Sequence, residues 1–374
     1  MWGVMNLLLS LTERCNLRCS YCYYKDSQVD RKIDMSDEVL EASLRLALER
    51  TIDQKQSFFN VTFFGGEPLL RMDAIYWSVR FVKKFVKENH SRFPGDFQYG
   101  FHVNTNGTLL TDEICKFLKK ENFKIFLSLD GPERKHNISR RTVDGKGCFK
   151  LISPNIPVLS QMRTSVISVV TRKHVRGLSR AVEWLFDQGF KSVTTAVDFD
   201  GKWTGEDFDA LAYEYQKMAL LWLKYRKQER DFYLGTIQDK ISFRLLDVRQ
   251  KEYSCFIFKG GLGISANGQV FPCSRFITSA EDAKYKLGSV FDSKNKLFNG
   301  PVAKDLRNYL KSDKPECDGC AIRYRCSAHE CGCNAFYTTG SVYKVSPEVC
   351  THERILAAIC DEALAKRQEL GELF

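Results

Sequence analysis

Between residues 4 and 197, short apolar runs alternate with amphipathic stretches about six times, and this alternation constrains the fold most. The strand-like runs are residues 4–11, 60–64, 100–104, 124–129, 165–171 and 192–197. Among the stretches between them, residues 37–48 follow Ser36, whose hydroxyl suits an N-cap, and residues 111–120 open on a threonine that suits one too. Residues 74–87 carry Ile75, Val79, Val82 and Val86 at helical spacing, and residues 178–188 read the same way. A strand followed by a helix and then another strand gives parallel pairing with the helix outside the sheet. The expected fold class is therefore α/β, and in barrels of this kind chemistry sits at the C-terminal ends of the strands.

After Asp200 the pattern changes. Residues 207–230 form one long helical stretch with Tyr, Leu and Trp on one side, and the run 224–230 reads as its solvated face. From Tyr253 the chain is rich in cysteine and glycine, and residues 353–370 form a closing helix. A domain boundary is expected near residues 235–250, giving a first domain over 1–235 and a second over 236–374. No internal repeat is visible.

No apolar run approaches the roughly 18 residues of a membrane-spanning helix. Residues 5–11 are too short for a signal peptide, lack a basic flank and lead straight into Arg14 and Cys15, so they read as a buried strand. Hydrophobic residues make up 44 % of the chain, enough for a sizeable core. The net charge is +10, but the basic residues are scattered, which reads as a lysine-rich surface and not as a nucleic-acid site. A soluble, cytoplasmic protein without membrane attachment is expected.

The chain has 14 cysteines. A reducing compartment does not keep them as disulfides, so spacing must assign them to core, catalysis or metal. Cys15, Cys19 and Cys22 lie in the loop that follows the first strand. Three thiolates in one loop can hold three irons of a [4Fe–4S] cube and leave the fourth open. A structural zinc site wants a fourth protein ligand, and no further Cys or His lies nearby.

The C-x3-C-x2-C spacing, with Tyr21 before the third cysteine, resembles the hallmark of the radical S-adenosylmethionine (SAM) superfamily. The resemblance implies a partial (β/α)6 barrel whose open iron is chelated by the amino and carboxylate groups of SAM. It also implies reductive cleavage of SAM to methionine and a 5′-deoxyadenosyl radical that abstracts a substrate hydrogen. Gly65-Gly66-Glu67-Pro68, at the end of the second strand, is similar to the turn that binds the SAM amino group. There the glycines allow close backbone approach to a ligand, and Glu67 offers a carboxylate to an ammonium. Asn104 and Thr105 end the third strand, and Ser128 and Asp130 follow the fourth. By resemblance they hold the ribose and methionine parts. Arg140 or Arg141 is expected to pair with the SAM carboxylate.

Eight more cysteines fall in the last third: Cys255, Cys273, Cys317, Cys320, Cys326, Cys331, Cys333 and Cys350. Gly268-x4-Cys273, then Cys317-x2-Cys320-x5-Cys326, then a distal Cys350, resembles the SPASM domain that is appended to peptide-modifying radical SAM enzymes. The resemblance implies two auxiliary [4Fe–4S] clusters, three clusters in all. Cys317, Cys320, Cys326 and Cys350 would ligate one auxiliary cluster. Cys255, Cys273 and one or both of Cys331 and Cys333 would ligate the other. The family spaces its next cysteine x3 after the position of Cys326, whereas this chain has x4 and x6. Cys115, Cys148 and Cys360 sit among apolar residues and read as core.

The implied function is a SPASM peptide maturase that installs a thioether, C–C or C–O crosslink in a ribosomally made precursor peptide. Its electrons would come from a donor such as flavodoxin or ferredoxin. With 14 residues ahead of Cys15, the leader-binding winged-helix module of many such enzymes is not expected. The alternative is an anaerobic sulfatase-maturating enzyme, which oxidises Cys or Ser to formylglycine. In that group an Asp that follows the Gly-x4-Cys cysteine acts as base, but here Ser274 stands in that place beside Arg275. Tyr24 and Asp198 are the candidate deprotonating groups. In structural roles, Tyr24 would pack on the cluster and Asp198 would cap a turn. A non-enzymatic electron-transfer or zinc-binding protein is the competing class.

Overall fold

A computed structural model describes residues 4–22, 33–246 and 261–369. In chain order, β1 (Val4–Thr12), α1 (Asp37–Asp53), β2 (Phe58–Gly65), α2 (Met72–Glu88), β3 (Gln98–Thr105), α3 (Asp112–Lys120) and β4 (Lys124–Ser128) come first. Next are α4 (Glu133–Ser139), the short α5 (Phe149–Ile152) and α6 (Ile156–Ser160), β5 (Thr164–Val170), α7 (Leu178–Asp187) and β6 (Ser192–Val197). The long α8 (Gly205–Lys227), β7 (Tyr233–Leu234) and α9 (Gly235–Leu245) follow. Then come β8 (Gly261–Ile264), β9 (Gln269–Phe271), β10 (Gly288–Ser289), α10 (Lys294–Asn299), α11 (Pro301–Lys311), α12 (Ser327–Glu330), α13 (Gly332–Thr339) and α14 (Pro347–Glu369). No helix among the described residues is long and apolar enough to cross a membrane.

Two compact units divide the chain, and each is built from three stretches of sequence. The first comprises residues 1–127, 142–145 and 256–310, and the second comprises 128–141, 146–255 and 311–374. In the first unit β1, β2, β3 and β4 are parallel neighbours. Every second residue is fully buried: Met5, Leu7 and Leu9 on β1, Phe59, Val61 and Phe63 on β2, and Ile125 and Leu127 on β4. The period of two puts this apolar set on one face. There α3 docks through Phe117 against Phe123, which also stacks near Phe63 and Phe101. The two expected caps are present: Ser36 accepts from Val39 N, and Thr111 accepts from Ile114 N.

The segment that extends this sheet carried no strand signal. β8 pairs parallel with β1, from Asn6 opposite Gly261 to Leu9 opposite Ile264, and β9 and β10 continue antiparallel. Gly268, at φ +81°, makes the turn between β8 and β9.

In the second unit β5, β6 and β7 are parallel. The helices α8, α9 and α14 pack together, with Trp222, Tyr215, Ile237 and Cys360 fully or almost fully buried. Thr204 and Asp207 form a capping box at the start of α8. The run 224–230 is only partly a solvated face, because α8 ends at Lys227 and Arg230 turns back to cover the Tyr225 ring and donate to Phe186 O.

Candidate functional site

In the first unit, the loop after β1 is pinned at both of its ends. Thr12 Oγ1 donates to Asp34 Oδ1 (2.5 Å) and accepts from Arg14 N (3.0 Å), and Arg14 Nε donates to Asp34 Oδ1 (2.9 Å). Asn16 ties the cysteine loop to the end of β3: its Nδ2 donates to Thr108 Oγ1 (2.8 Å), and its Oδ1 accepts from Asn106 Nδ2 (3.0 Å). Within the loop Leu17 N donates to Cys15 Sγ (3.4 Å), and Cys22 N donates to Cys19 O (3.2 Å). Tyr21 is half-buried beside Cys22.

The glycine pair at the end of β2 meets the chain itself. Gly66 N donates to Thr12 O (2.7 Å), and Glu67 N donates to Arg14 O (2.9 Å). A Cβ on Gly65 would overlap Thr12 O, and one on Gly66 would overlap Arg14 O. The glycine pair thus allows a close approach to the cysteine loop. Glu67 is engaged by the chain itself. Its buried carboxylate accepts from Thr105 Oγ1 (2.7 Å), Asn106 N (2.8 Å) and Leu69 N (3.1 Å), and so braces the ends of β2 and β3 from inside. Burial pushes its carboxyl up to about 7, against the pull of those donors. Pro68 opens the short 3-10 turn that Glu67 caps. Thr105 is spent on Glu67 and on Gly107 N, whereas the buried Asn104 Oδ1 has no hydrogen-bond partner.

The donor set suits iron. Burial pushes the Cys15 thiol up to about 12, and the neighbouring Glu67, Cys19 and Cys22 add to the effect against the Leu17 amide. A thiolate there needs a cation beside it, and soft thiolates favour iron–sulfur clusters and zinc. The buried, unpartnered Asn104 Oδ1 is an acceptor that a bound ligand's N–H or O–H would satisfy.

In the second unit Asp130 and Arg140 are committed to one another. Arg140 Nε lies 2.7 Å from Asp130 Oδ2 and Nη2 3.2 Å from Oδ1, and Val169 N also donates to Asp130 Oδ1 (2.9 Å). Burial opposes charge on Asp130, but Arg140 overcomes it and holds the carboxyl below the usual range. Arg141 is the exposed member of the Arg140/Arg141 pair. Ser128 is half-buried at the end of β4. Asp198 follows β6: its carbonyl accepts from Trp203 Nε1 (2.6 Å), and its N–H donates to Val170 O (2.9 Å). Cys148 is fully buried, with Sγ 3.3 Å from His136 Nε2. Tyr24 and Cys255 lie outside the described residues.

Cys317, Cys320, Cys326 and Cys350 line one cavity of about 230 Å³, walled also by Ile322 and Val345. Burial raises the Cys317 thiol and pushes Cys326 up to about 11. These four thiols ring a space; they are not closed as a single-ion site, and no group of three or more His, Cys, Asp or Glu side chains among the described residues is. Cys331 and Cys333 stand side by side, Sγ to Sγ 3.3 Å, at the junction of α12 and α13, while Cys273 belongs to the first unit, just after β9. The supports of these loops (Asp34, the Asn16 clip, and Lys240 with Glu353) carried no motif of their own in the sequence.

A loop of three cysteines after the first strand, set against a Gly-Gly-Glu-Pro turn, defines an iron–sulfur site of a known class. The family description "Radical SAM superfamily" matches residues 9–212, more than half of the chain, and the chain belongs to that superfamily. "Iron-sulfur cluster-binding domain", the SPASM family, matches residues 255–321. The fold is thus a partial radical SAM barrel followed by a cysteine-rich SPASM region, and the protein is a radical SAM enzyme. A cysteine-type anaerobic sulfatase-maturating enzyme of Clostridium novyi (strain NT) is 24 % identical over 325 residues, 84 % of each chain. Native anSMEcpe with bound AdoMet and Cp18Cys peptide superposes with a TM-score of 0.76 at 19 % identity, over 98 % of this chain and 99 % of the other. Streptococcus suis SuiB bound to precursor peptide SuiA gives a TM-score of 0.61 at 14 % identity, over 93 % and 76 %.

Proposed function

We propose that this enzyme is a cytoplasmic maturase that takes hydrogen from a residue of a ribosomally made precursor peptide and leaves an intramolecular thioether, C–C or C–O crosslink. The observation that carries the reading is the cavity lined by Cys317, Cys320, Cys326 and Cys350, a second set of thiols in addition to the first-loop cysteines. Forming such a crosslink removes two hydrogens from the peptide, so beyond the abstracted atom one electron and one proton must leave. When bound, a cluster on Cys15, Cys19 and Cys22 with SAM supplies the 5′-deoxyadenosyl radical, and an auxiliary cluster accepts the electron.

The chain's own groups orient these partners. The main chain of Gly65–Glu67, Asn104 Oδ1, Ser128 and the exposed Arg141 would hold SAM, with Asp130 and Arg140 fixing the backbone from which Arg141 projects. Asp198 and Tyr24 are the candidate proton acceptors. Cys255, Cys273 and one or both of Cys331 and Cys333 would hold a third [4Fe–4S] cluster, and a flavodoxin or ferredoxin would supply electrons. Relatives with peptides bound, anSMEcpe and SuiB, support a peptide substrate.

A second reading, oxidation of Cys or Ser to formylglycine, is favoured by similarity to the Clostridium novyi enzyme over 84 % of both chains. Against it stands Ser274, where that activity calls for a carboxylate base. Co-expression with a short peptide encoded beside the gene, read by tandem mass spectrometry, separates the two. Loss of two hydrogens with fragments joined across two residues supports crosslinking. An unmodified precursor, together with a new aldehyde on a sulfatase-type peptide, supports the second reading and overturns the first.

A further inference from the structure

Cys326 is gripped on both sides by one buried ion pair. On α9, Lys240 Nζ donates to Arg325 O (2.7 Å) and to Glu353 Oε2 (2.6 Å). On α14, Glu353 accepts from Ser327 N (2.9 Å) and from Ser327 Oγ (3.0 Å). The residue before Cys326 and the residue after it are therefore each fixed by one member of the pair. Lys240 and Glu353 are 8 % and 3 % exposed. Burial opposes charge on Glu353, but His352 and Lys240 bring its carboxyl down to about 2, so it is a carboxylate.

Packing alone does not explain the pair. A buried ion pair adds little net stability compared with an apolar replacement of the same size. What it supplies is direction, through short charge-assisted hydrogen bonds to specific backbone atoms. Those atoms belong to the loop that presents Cys326 to the four-cysteine cavity. Cys350 and Glu353 lie three residues apart on α14 and so are neighbours on that helix. The helix thus presents one thiol directly and orients a second through its carboxylate. Groups one layer behind metal ligands set ligand orientation in this way.

We infer that Lys240 and Glu353 are positioning residues for Cys326 as a ligand of an auxiliary cluster. The inference rests on the reading that the four cysteines hold such a cluster. The test uses the full chain with Cys15, Cys19 and Cys22 changed to alanine, reconstituted anaerobically so that only auxiliary centres report. K240M, K240R and E353Q are compared by iron release to a chelator, by the EPR spectrum after reduction, and by the thermal midpoint of the iron-free protein. The expected result is iron release about ten-fold faster in K240M and E353Q, with an altered EPR signal. K240R restores the parental release rate. Parental release and EPR in all three, with only a lower thermal midpoint in K240M and E353Q, would overturn the inference and leave the pair as a tie between α9 and α14. If adding C317A, C320A and C350A removes no iron from the parent, the cluster assignment itself fails, which is a separate and recognisable outcome that also removes the inference.

Discussion

Arg140 Nε sits 2.7 Å from Asp130 Oδ2, and both side chains are buried. Removing one partner of such a pair strands the other charge. R140M is expected to lose about 3–5 kcal/mol of stability in urea unfolding. R141M, at an exposed position, is expected to change stability by less than about 0.5 kcal/mol while weakening SAM binding in calorimetry. Equal losses of stability in the two variants would contradict this division of roles.

The glycine pair makes a steric prediction. G66A places a methyl group on Arg14 O, so the cysteine loop must shift, at a cost of about 1–3 kcal/mol. Iron incorporation at the first loop should fall with it. G95A, whose new methyl meets no atom within 4 Å, should leave both quantities unchanged. Iron quantitation after anaerobic reconstitution checks both variants.

Glu67 carries a pH signature. Burial raises its carboxyl from the ordinary 4.5 to about 7, so the folded chain holds that proton more tightly than the unfolded chain. Its contribution to stability is full below about pH 4.5 and is lost as pH rises to about 7, up to about 3 kcal/mol. E67Q lacks this titration. Urea unfolding from pH 4.5 to 7.5 should show the parent losing stability relative to E67Q across that window, and parallel curves would refute the assignment.

All six barrel strands were legible to within a residue or two at each end, because each buries one face at a period of two and ends at a turn. The Cys15, Cys19 and Cys22 loop was legible because metal chemistry fixes its spacing. β8 was not: Gly261-Leu-Gly-Ile264 is four residues long with two glycines, and its parallel partner β1 lies some 250 residues earlier in the chain. The burial of Glu67 and the pairing of Asp130 with Arg140 were not legible for another reason: a sequence motif carries neither a side chain's burial nor its partners.

The cysteines divide by role. C350A should remove about four irons per reconstituted chain, the content of one cubane. C360A replaces a thiol packed in the core of the helical unit and should keep full iron content with a modest fall in thermal midpoint. Colorimetric iron and sulfide assays distinguish the two.

The most direct test is to incubate the anaerobically reconstituted, reduced chain with SAM and measure 5′-deoxyadenosine by chromatography. The expected result is 5′-deoxyadenosine and methionine in equal amounts, and neither product from a C15A, C19A, C22A variant. An iron-loaded, reduced chain that leaves SAM intact, or a triple variant that still cleaves it, would rule out radical generation at the Cys15, Cys19 and Cys22 loop.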